Sequence, residues 1–259
     1  MKRAELSGLV LTHDQRDITK LHGQLSTICG QLIVVHDSRF GSFSETLLPQ
    51  PSVRTEVTVV ERAFDTFPRQ RNAGIEKALG AWVLSVDSDE LITDELASEI
   101  SNLEPSPSTD AFSFRRKEYM FGRPLSIAAP CGSTETLHPR LFRAGNRYQE
   151  TPLIHERFIN NERLELAVLS GKLEHLPTES LAALYKKAFQ YGRLRAQSAE
   201  GRLGSDHKQD ASKLFEYVLK DGFSGLAIAG LKVAQALGSA TQTTGSKHRG
   251  ADILTARLG

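Results

Sequence analysis

Three short apolar runs constrain the fold of this chain more than anything else in it: Leu6–Thr12 (LSGLVLT), residues 31–36 (QLIVVH) and residues 81–86 (AWVLSV). Each is continuous rather than alternating, as in strands buried on both faces of a sheet covered by helices. Between the first two, residues 14–29 place Ile18, Leu21, Leu25 and Ile28 at spacings of three and four, a helical stripe. Gly30 follows as its stop. Strand, helix, strand with short links is a βαβ unit, and its crossover is right-handed.

The remaining elements extend this pattern. Residues 53–61 (VRTEVTVVE) alternate as a third strand. Pro68 suits the first turn of a helix over 69–79, with Gly80 as its stop. Thr93 is a good N-cap for a helix over 94–102. Residues 104–109 (EPSPST) read as a linker, and 122–139, with three prolines and no periodicity, as a long loop. Shorter strands are expected at 111–116, 141–143, 153–158 and 164–175. Helices are expected at 180–202, 213–219 and 223–237, before a polar tail. The fold class is α/β: a Rossmann-like single sheet flanked by helices, with a helical C-terminal extension. The expected boundaries are 1–178 for the catalytic domain, 179–237 for the extension and 238–259 for a flexible tail.

Composition narrows the setting. A chain of 259 residues buries roughly three quarters of its unfolded surface and needs no staples. Its two cysteines, Cys29 and Cys131, are too few for a disulfide framework or a cysteine-based zinc site, which fits a reducing compartment. Lys2 and Arg3 mimic a signal-peptide start, but the apolar stretch behind them runs at once into His13 and Asp14, so no signal peptide is expected. No window of 18 apolar residues exists, so no spanning helix is expected. The net charge of +1 hides an asymmetry: residues 179–259 carry 12 Lys/Arg and 7 Asp/Glu, a net of +5. A basic extension suits an anionic surface such as a membrane or a phosphorylated glycolipid. Nucleic acid is not expected, because no row of aromatics is interleaved with the basic residues.

In open α/β sheets, ligands sit at the carboxyl ends of the strands. There the second strand gives His36-Asp37-Ser38 and the fourth gives Asp87-Ser88-Asp89-Glu90. No GxGxxG and no GxxxxGK[ST] occurs anywhere, which removes the usual ways of cradling phosphates on backbone N–H groups. Asp87 and Asp89 supply another way. Bare carboxylates repel a nucleotide diphosphate, but a Mg²⁺ or Mn²⁺ ion held by one or two carboxylates and the substrate phosphates reverses the sign. The bland reading is decoration of the next helix's N-terminus, against which stands the buried strand just before the motif. Arg69 and Arg71 open the preceding helix. Their charge opposes the helix dipole, so an anionic partner is expected.

These residues resemble family 2 glycosyltransferases of GT-A fold. The resemblance is carried by the Asp37 strand end, Arg71-Asn72-Ala73-Gly74, and the run from Trp82 to Glu90. Arg140-Leu-Phe-Arg143, His155-Glu156, Leu173-Glu-His175 and residues 215–223 look like the lipopolysaccharide-core glucosyltransferase branch. The resemblance implies that Asp37 hydrogen-bonds the nucleotide base and that Arg71 lies near the base or diphosphate. It implies that Asp87 faces the ribose and that Asp89 holds Mg²⁺ or Mn²⁺. Glu156 would be the base of an inverting transfer, with Glu150 and Glu135 as rivals. His155 or His175 would complete the metal or diphosphate site. The donor would be a nucleotide-diphosphate sugar such as a UDP-hexose, and the acceptor a hydroxyl of a glycan or glycolipid. The chain departs from the family's pattern at Thr12-His13-Asp14-Gln15 and Ser38-Arg-Phe-Gly-Ser-Phe43, both beside the base.

Residues 213–237 carry enough apolar area, beside Lys220 and Lys232, for an interfacial helix pair. The expected setting is therefore cytoplasmic, on the inner face of the cell membrane. Packing on the catalytic domain or a homodimer contact is the alternative use of that surface. One rival function is a nucleotidyltransferase, which would carry a Gly-rich basic loop after the first strand, where Thr12 to Arg16 has no glycine. Another is a non-catalytic sugar- or lipid-binding protein on the same fold.

Overall fold

The computed structural model describes residues 1–13, 18–45, 48, 55–125, 139–150, 158–159 and 164–176, together with Tyr185, Gly230 and Val233. In chain order the elements are β1 (Leu6–Thr12), α1 (Thr19–Ile28), β2 (Gln31–Asp37), β3 (Glu56–Arg62), α2 (Phe67–Ile75), β4 (Trp82–Asp87), β5 (Glu90–Ile92), α3 (Asp94–Ser101), β6 (Ala111–Met120), β7 (Arg123–Pro124), β8 (Pro139–Arg143) and β9 (Leu166–His175). The chain divides into two compact units, Met1–Gly122 with Thr134–Pro177, and Arg123–Ser133 with Thr178–Gly259. In the second unit β7 is described, and Tyr185, Gly230 and Val233 are helical. The helices expected at 180–202, 213–219 and 223–237 otherwise lie outside the described residues, as does the tail.

The first unit is built on one sheet of order β3-β2-β1-β4-β8-β6-β9-β5. Its first four strands are parallel, the Rossmann-like half that the apolar runs predict. Helices cover both faces. Ile18, Leu21, Leu25 and Ile28 of the first helical segment pack with Leu96 and Ile100 of α3 against Leu6, Val10, Leu32, Val34, Leu84 and Val86. On the other face Ile75 of α2 packs with Leu9, Ile33, Val35 and Val83. Successive strand residues thus alternate between two dry cores, which is why the runs carry no polar face.

At the amino ends of the strands a buried amide ties three strands together. Gln31 Oε1 accepts from Ser7 Oγ at 2.7 Å and from the Leu79 N–H at 2.9 Å. Its Nε2 donates to Thr58 Oγ1 and to the Lys77 carbonyl, both at 2.9 Å. A Gln side chain has two donors and two acceptor positions, so this one is fully satisfied.

The other half of the sheet closes on itself. β4 pairs antiparallel with β8, β8 antiparallel with β6, β6 parallel with β9, and β9 antiparallel with β5. Only Ser88 and Asp89 separate β4 from β5. Three Cα steps of about 3.8 Å span at most about 11 Å. The path from β4 through β8, β6 and β9 to β5 must therefore curl until its ends meet at that acidic turn. The close approach of α3 to β9 needs Gly171: a Cβ there would lie 2.4 Å from the Leu96 Cα.

Several boundaries differ from the sequence reading. α2 begins at Phe67, because Thr66 Oγ1 caps the Arg69 N–H at 3.4 Å. It ends at Ile75 rather than 79, where Lys77 and Ala78 donate to carbonyls three residues back, the tighter turn common at helix ends. β3 begins at Glu56 within the described residues, β8 two residues early at Pro139, and β6 runs to Met120 instead of 116. β5 was not anticipated. The strand expected at 153–158 lies outside the described residues except for Phe158, which bridges Tyr148. Among the described residues no helix is long and apolar enough to cross a membrane.

Candidate functional site

Parallel pairing brings the carboxyl ends of β1 to β4 to one sheet edge, with Thr12 opposite His36 and Leu11 opposite Asp87. Asp37 and Asp87 end strands two places apart, about 10 Å at the usual strand spacing. Asp89 sits in the turn where the curled half closes.

A continuous chain of ionic contacts runs through this turn. Arg71 Nη2 donates to Asp87 Oδ1 at 2.7 Å, and its Nη1 to Ser85 Oγ at 2.7 Å. Arg140 reaches Asp87 Oδ2 at 3.3 Å and Glu90 Oε1 at 3.1 Å. Glu90 Oε2 accepts the Asp87 N–H at 3.0 Å, and Arg116 Nη1 lies 3.3 Å from Glu90 Oε1. Arg116 Nε donates to Glu118 Oε1 at 2.7 Å. Glu118 Oε2 meets His175 Nδ1 at 2.5 Å, and His175 Nε2 meets Asp89 Oδ2 at 3.1 Å. The two motif aspartates are thus joined the long way round, through side chains from β5, β6, β8 and β9.

The electrostatics follow from that order. Burial disfavours charge on Asp87, but Arg71 and Arg140 outweigh it and hold the carboxyl well below the usual range. Glu90 is wholly buried. There burial wins and its pKa is raised, with the Asp87 charge adding to the shift against the pull of Arg140 and Arg116. Burial would also lower His175, yet its hydrogen bonds to Asp89 and Glu118 carry it up to about 9. Its ring is therefore an imidazolium at neutral pH.

The sequence-predicted residues fall out as follows. Asp87, Asp89, Arg71 and His175 belong to this one network. The anionic partners that Arg69 and Arg71 called for are protein carboxylates: Arg69 meets Glu150 at 3.1 Å and Asp65 at 3.6 Å, and Arg71 meets Asp87. Asp37 stands apart from the network. Its Oδ1 accepts from the Arg39 N–H at 3.2 Å, Arg39 Nε at 2.9 Å and the Phe64 N–H at 3.1 Å. Its Oδ2 accepts from Arg39 Nε at 3.1 Å and Nη2 at 2.6 Å. The Arg39 hydrogen bonds hold its pKa at about 2 against burial. His155, Glu156 and Glu135 lie outside the described residues. Glu90 and Arg140 entered the sequence reading only as members of the resembling motifs, with no site role, and Arg116 and Glu118 did not enter it. Their one signal is the period-two alternation of Arg116 and Glu118, which puts both on one face of β6.

The donor set suits a hard cation in part. Asp89 offers carboxylate oxygen and is partly exposed, with His175 Nε2 beside it. One or two protein donors completed by diphosphate oxygens is the set such ions commonly take. Among the described residues no group of three or more His, Cys, Asp or Glu forms a ready cage. For His175 to serve as a ligand it would first have to give up its proton.

No family model matches the chain, and no curated protein matches it. Among solved structures it is similar to S. aureus TarS, with 16% identity and a TM-score of 0.45 over 93% of this chain. The chain spans 55% of that TarS chain. TarS 1–349 in complex with UDP-GlcNAc gives 16% identity and a TM-score of 0.49, covering 95% of this chain and 92% of that one. TarS 1–349 in complex with UDP gives 15% and 0.43, with the same coverage. With TM-scores below 0.5 and about one residue in six shared, these likenesses establish no function for the chain.

Proposed function

We propose that the chain is a glycosyltransferase that moves one sugar from a nucleotide-diphosphate donor, such as a UDP-hexose, to a hydroxyl of a glycan or glycolipid. One observation carries this reading. Asp87 and Asp89 sit at the carboxyl edge of a Rossmann-like sheet, without a glycine-rich loop, and are backed by Arg71, Arg140 and His175. That arrangement suits a ligand with a ribose hydroxyl pair and a diphosphate.

In this reading Asp87 accepts from the ribose hydroxyls, its carboxylate oriented by Arg71 and Arg140. Asp89, with His175 beside it, would hold Mg²⁺ or Mn²⁺, which supplies positive charge to the departing diphosphate. Arg140 adds to the same positive potential, and fixed charge of this kind stabilises a leaving group as its own charge develops. Glu156 would serve the acceptor side, and His155 would help complete the metal or diphosphate site. An inverting transfer needs a carboxylate there to take the hydroxyl proton. The basic C-terminal segment would bring the enzyme to an anionic, glycolipid-bearing membrane surface, on the cytoplasmic side.

A donor-hydrolysis and transfer screen over UDP-, GDP-, ADP- and CMP-sugars with Mn²⁺ or Mg²⁺ tests the reading. Asp89→Ala should lose turnover by about 10²-fold or more and should lose Mn²⁺ binding in calorimetry. Unchanged turnover and Mn²⁺ binding would remove Asp89 from the site. Glu156→Gln transferring at the wild-type rate would remove it as the base.

A further inference from the structure

The β2 end departs from what a bare acidic base-reader would need. An ionised carboxylate has about four lone-pair positions. Asp37 already receives five contacts, from Arg39 N, Nε and Nη2 and from Phe64 N. Its side chain is 9% exposed, whereas that of Arg39 is 53% exposed. Asp37 has no acceptor capacity left for a base N–H. The group it presents outward is the guanidinium it holds.

That guanidinium is pre-oriented. Nε and Nη2 are fixed on the Asp37 carboxylate, and Nη1 makes no hydrogen bond among the described residues. The plane lies over the Phe64 ring at 5.4 Å and the Phe40 ring at 6.0 Å. Phe64 is itself braced edge-on by Phe67 at 4.9 Å, and Phe40 meets the tilted His13 ring at 5.3 Å. Phe40 is 63% exposed. An aromatic surface and a rigid N–H edge therefore stand together at the ends of β1, β2 and β3.

We infer that Arg39, positioned by Asp37 and flanked by Phe40, reads the nucleotide base, and that it selects bases presenting carbonyl oxygen over adenine. The inference rests on the site being a nucleotide-diphosphate site and specifies which donors it takes. A guanidinium edge only donates. Uracil offers it O2 and O4, and guanine offers the adjacent acceptors O6 and N7, the pair that arginine commonly engages. Adenine sets its N6 amino group, a donor, beside N7, so donor would face donor.

The test is calorimetric binding of UDP, GDP and ADP, each with Mn²⁺, to the full chain. The wild type should bind UDP, GDP or both at least about ten-fold more tightly than ADP. Arg39→Gln should erase that preference by weakening the carbonyl-bearing nucleotides while leaving ADP within two-fold (roughly the scatter of such measurements). Arg39→Lys keeps the charge but lacks the planar fork and should behave as Arg39→Gln does. Thermal melts should show all three proteins folded, since Arg39 is largely at the surface. Equal binding of ADP by the wild type overturns the inference. So does tighter UDP or GDP binding by Arg39→Gln, which would mean that freed Asp37 is the reader. Failure of the wild type to bind any nucleoside diphosphate would instead overturn the underlying function.

Discussion

His175 is the residue on which most of the site's charge logic turns. Glu118 holds one ring nitrogen and Asp89 the other, so the imidazolium is the form the folded state favours. Its folded pKa of about 9 lies above the ordinary 6.5. A raised pKa contributes stability that is fully present below about 6.5 and is lost as pH rises through 9. At roughly 1.4 kcal/mol per unit, the ceiling is about 3 kcal/mol. Urea midpoints should therefore fall between pH 6.5 and 9.5 in the wild type, and the fall should be much shallower in His175→Gln. A wild-type midpoint that stays level across that interval would show that the ring is not held as a cation. Glu90 works in the opposite way. It is wholly buried and accepts from a backbone N–H and two arginines, so it serves to fix Asp87, Arg140 and Arg116 rather than to meet a ligand.

At the scale of elements, close approach decides what can change. Gly171 on β9 faces the Leu96 backbone at 2.4 Å, and backbone cannot step aside as a side-chain tip can. Gly171→Ala should push α3 off β9 and cost about 1–3 kcal/mol or more. Gly23 lies inside α1 with nothing within 4 Å of its would-be Cβ, so Gly23→Ala should gain about 0.5–1 kcal/mol. Thermal melts of the two variants should move in opposite directions, and a shared direction would contradict this packing. The same contrast explains what could be read in advance. β1, β2 and β4 announce themselves through unbroken apolar runs, and α3 through Thr93, because those signals are local. β5 is three residues whose partner, β9, lies some eighty residues on, so no local period marks it. Asp87 and Asp89 could be picked out because acidic residues after a buried strand are conspicuous. Arg116 and Glu118 could not, and Arg140 stood out only as part of a motif, because only the curl of the sheet carries them to the acidic turn. Asp37 was legible as an acidic strand end, but its occupation by Arg39 two residues later was not.

For the whole molecule, the turn of Ser88 and Asp89 is the point where a five-strand path closes. Lengthening an ordinary surface loop costs only tenths of a kcal/mol. Inserting two glycines in the exposed 104–109 linker should therefore leave nucleotide binding and the urea midpoint near wild type. The same insertion between Ser88 and Asp89 should weaken nucleotide binding by about ten-fold or more, because it frees Asp89 from His175 and Asp87 from the Glu90 backbone contact. Equal binding by the two insertions would show that closure at the turn is incidental. The closure also sets an order in time. Asp87 and Asp89 leave the ribosome as neighbours, yet the ring around them is complete only when β9 has formed, ending at residue 175. Pairings this distant in sequence form late and slowly. A partly made chain would carry the whole acidic motif and still lack the charge network that balances it, so a balanced turn arrives with β9 and not with the motif.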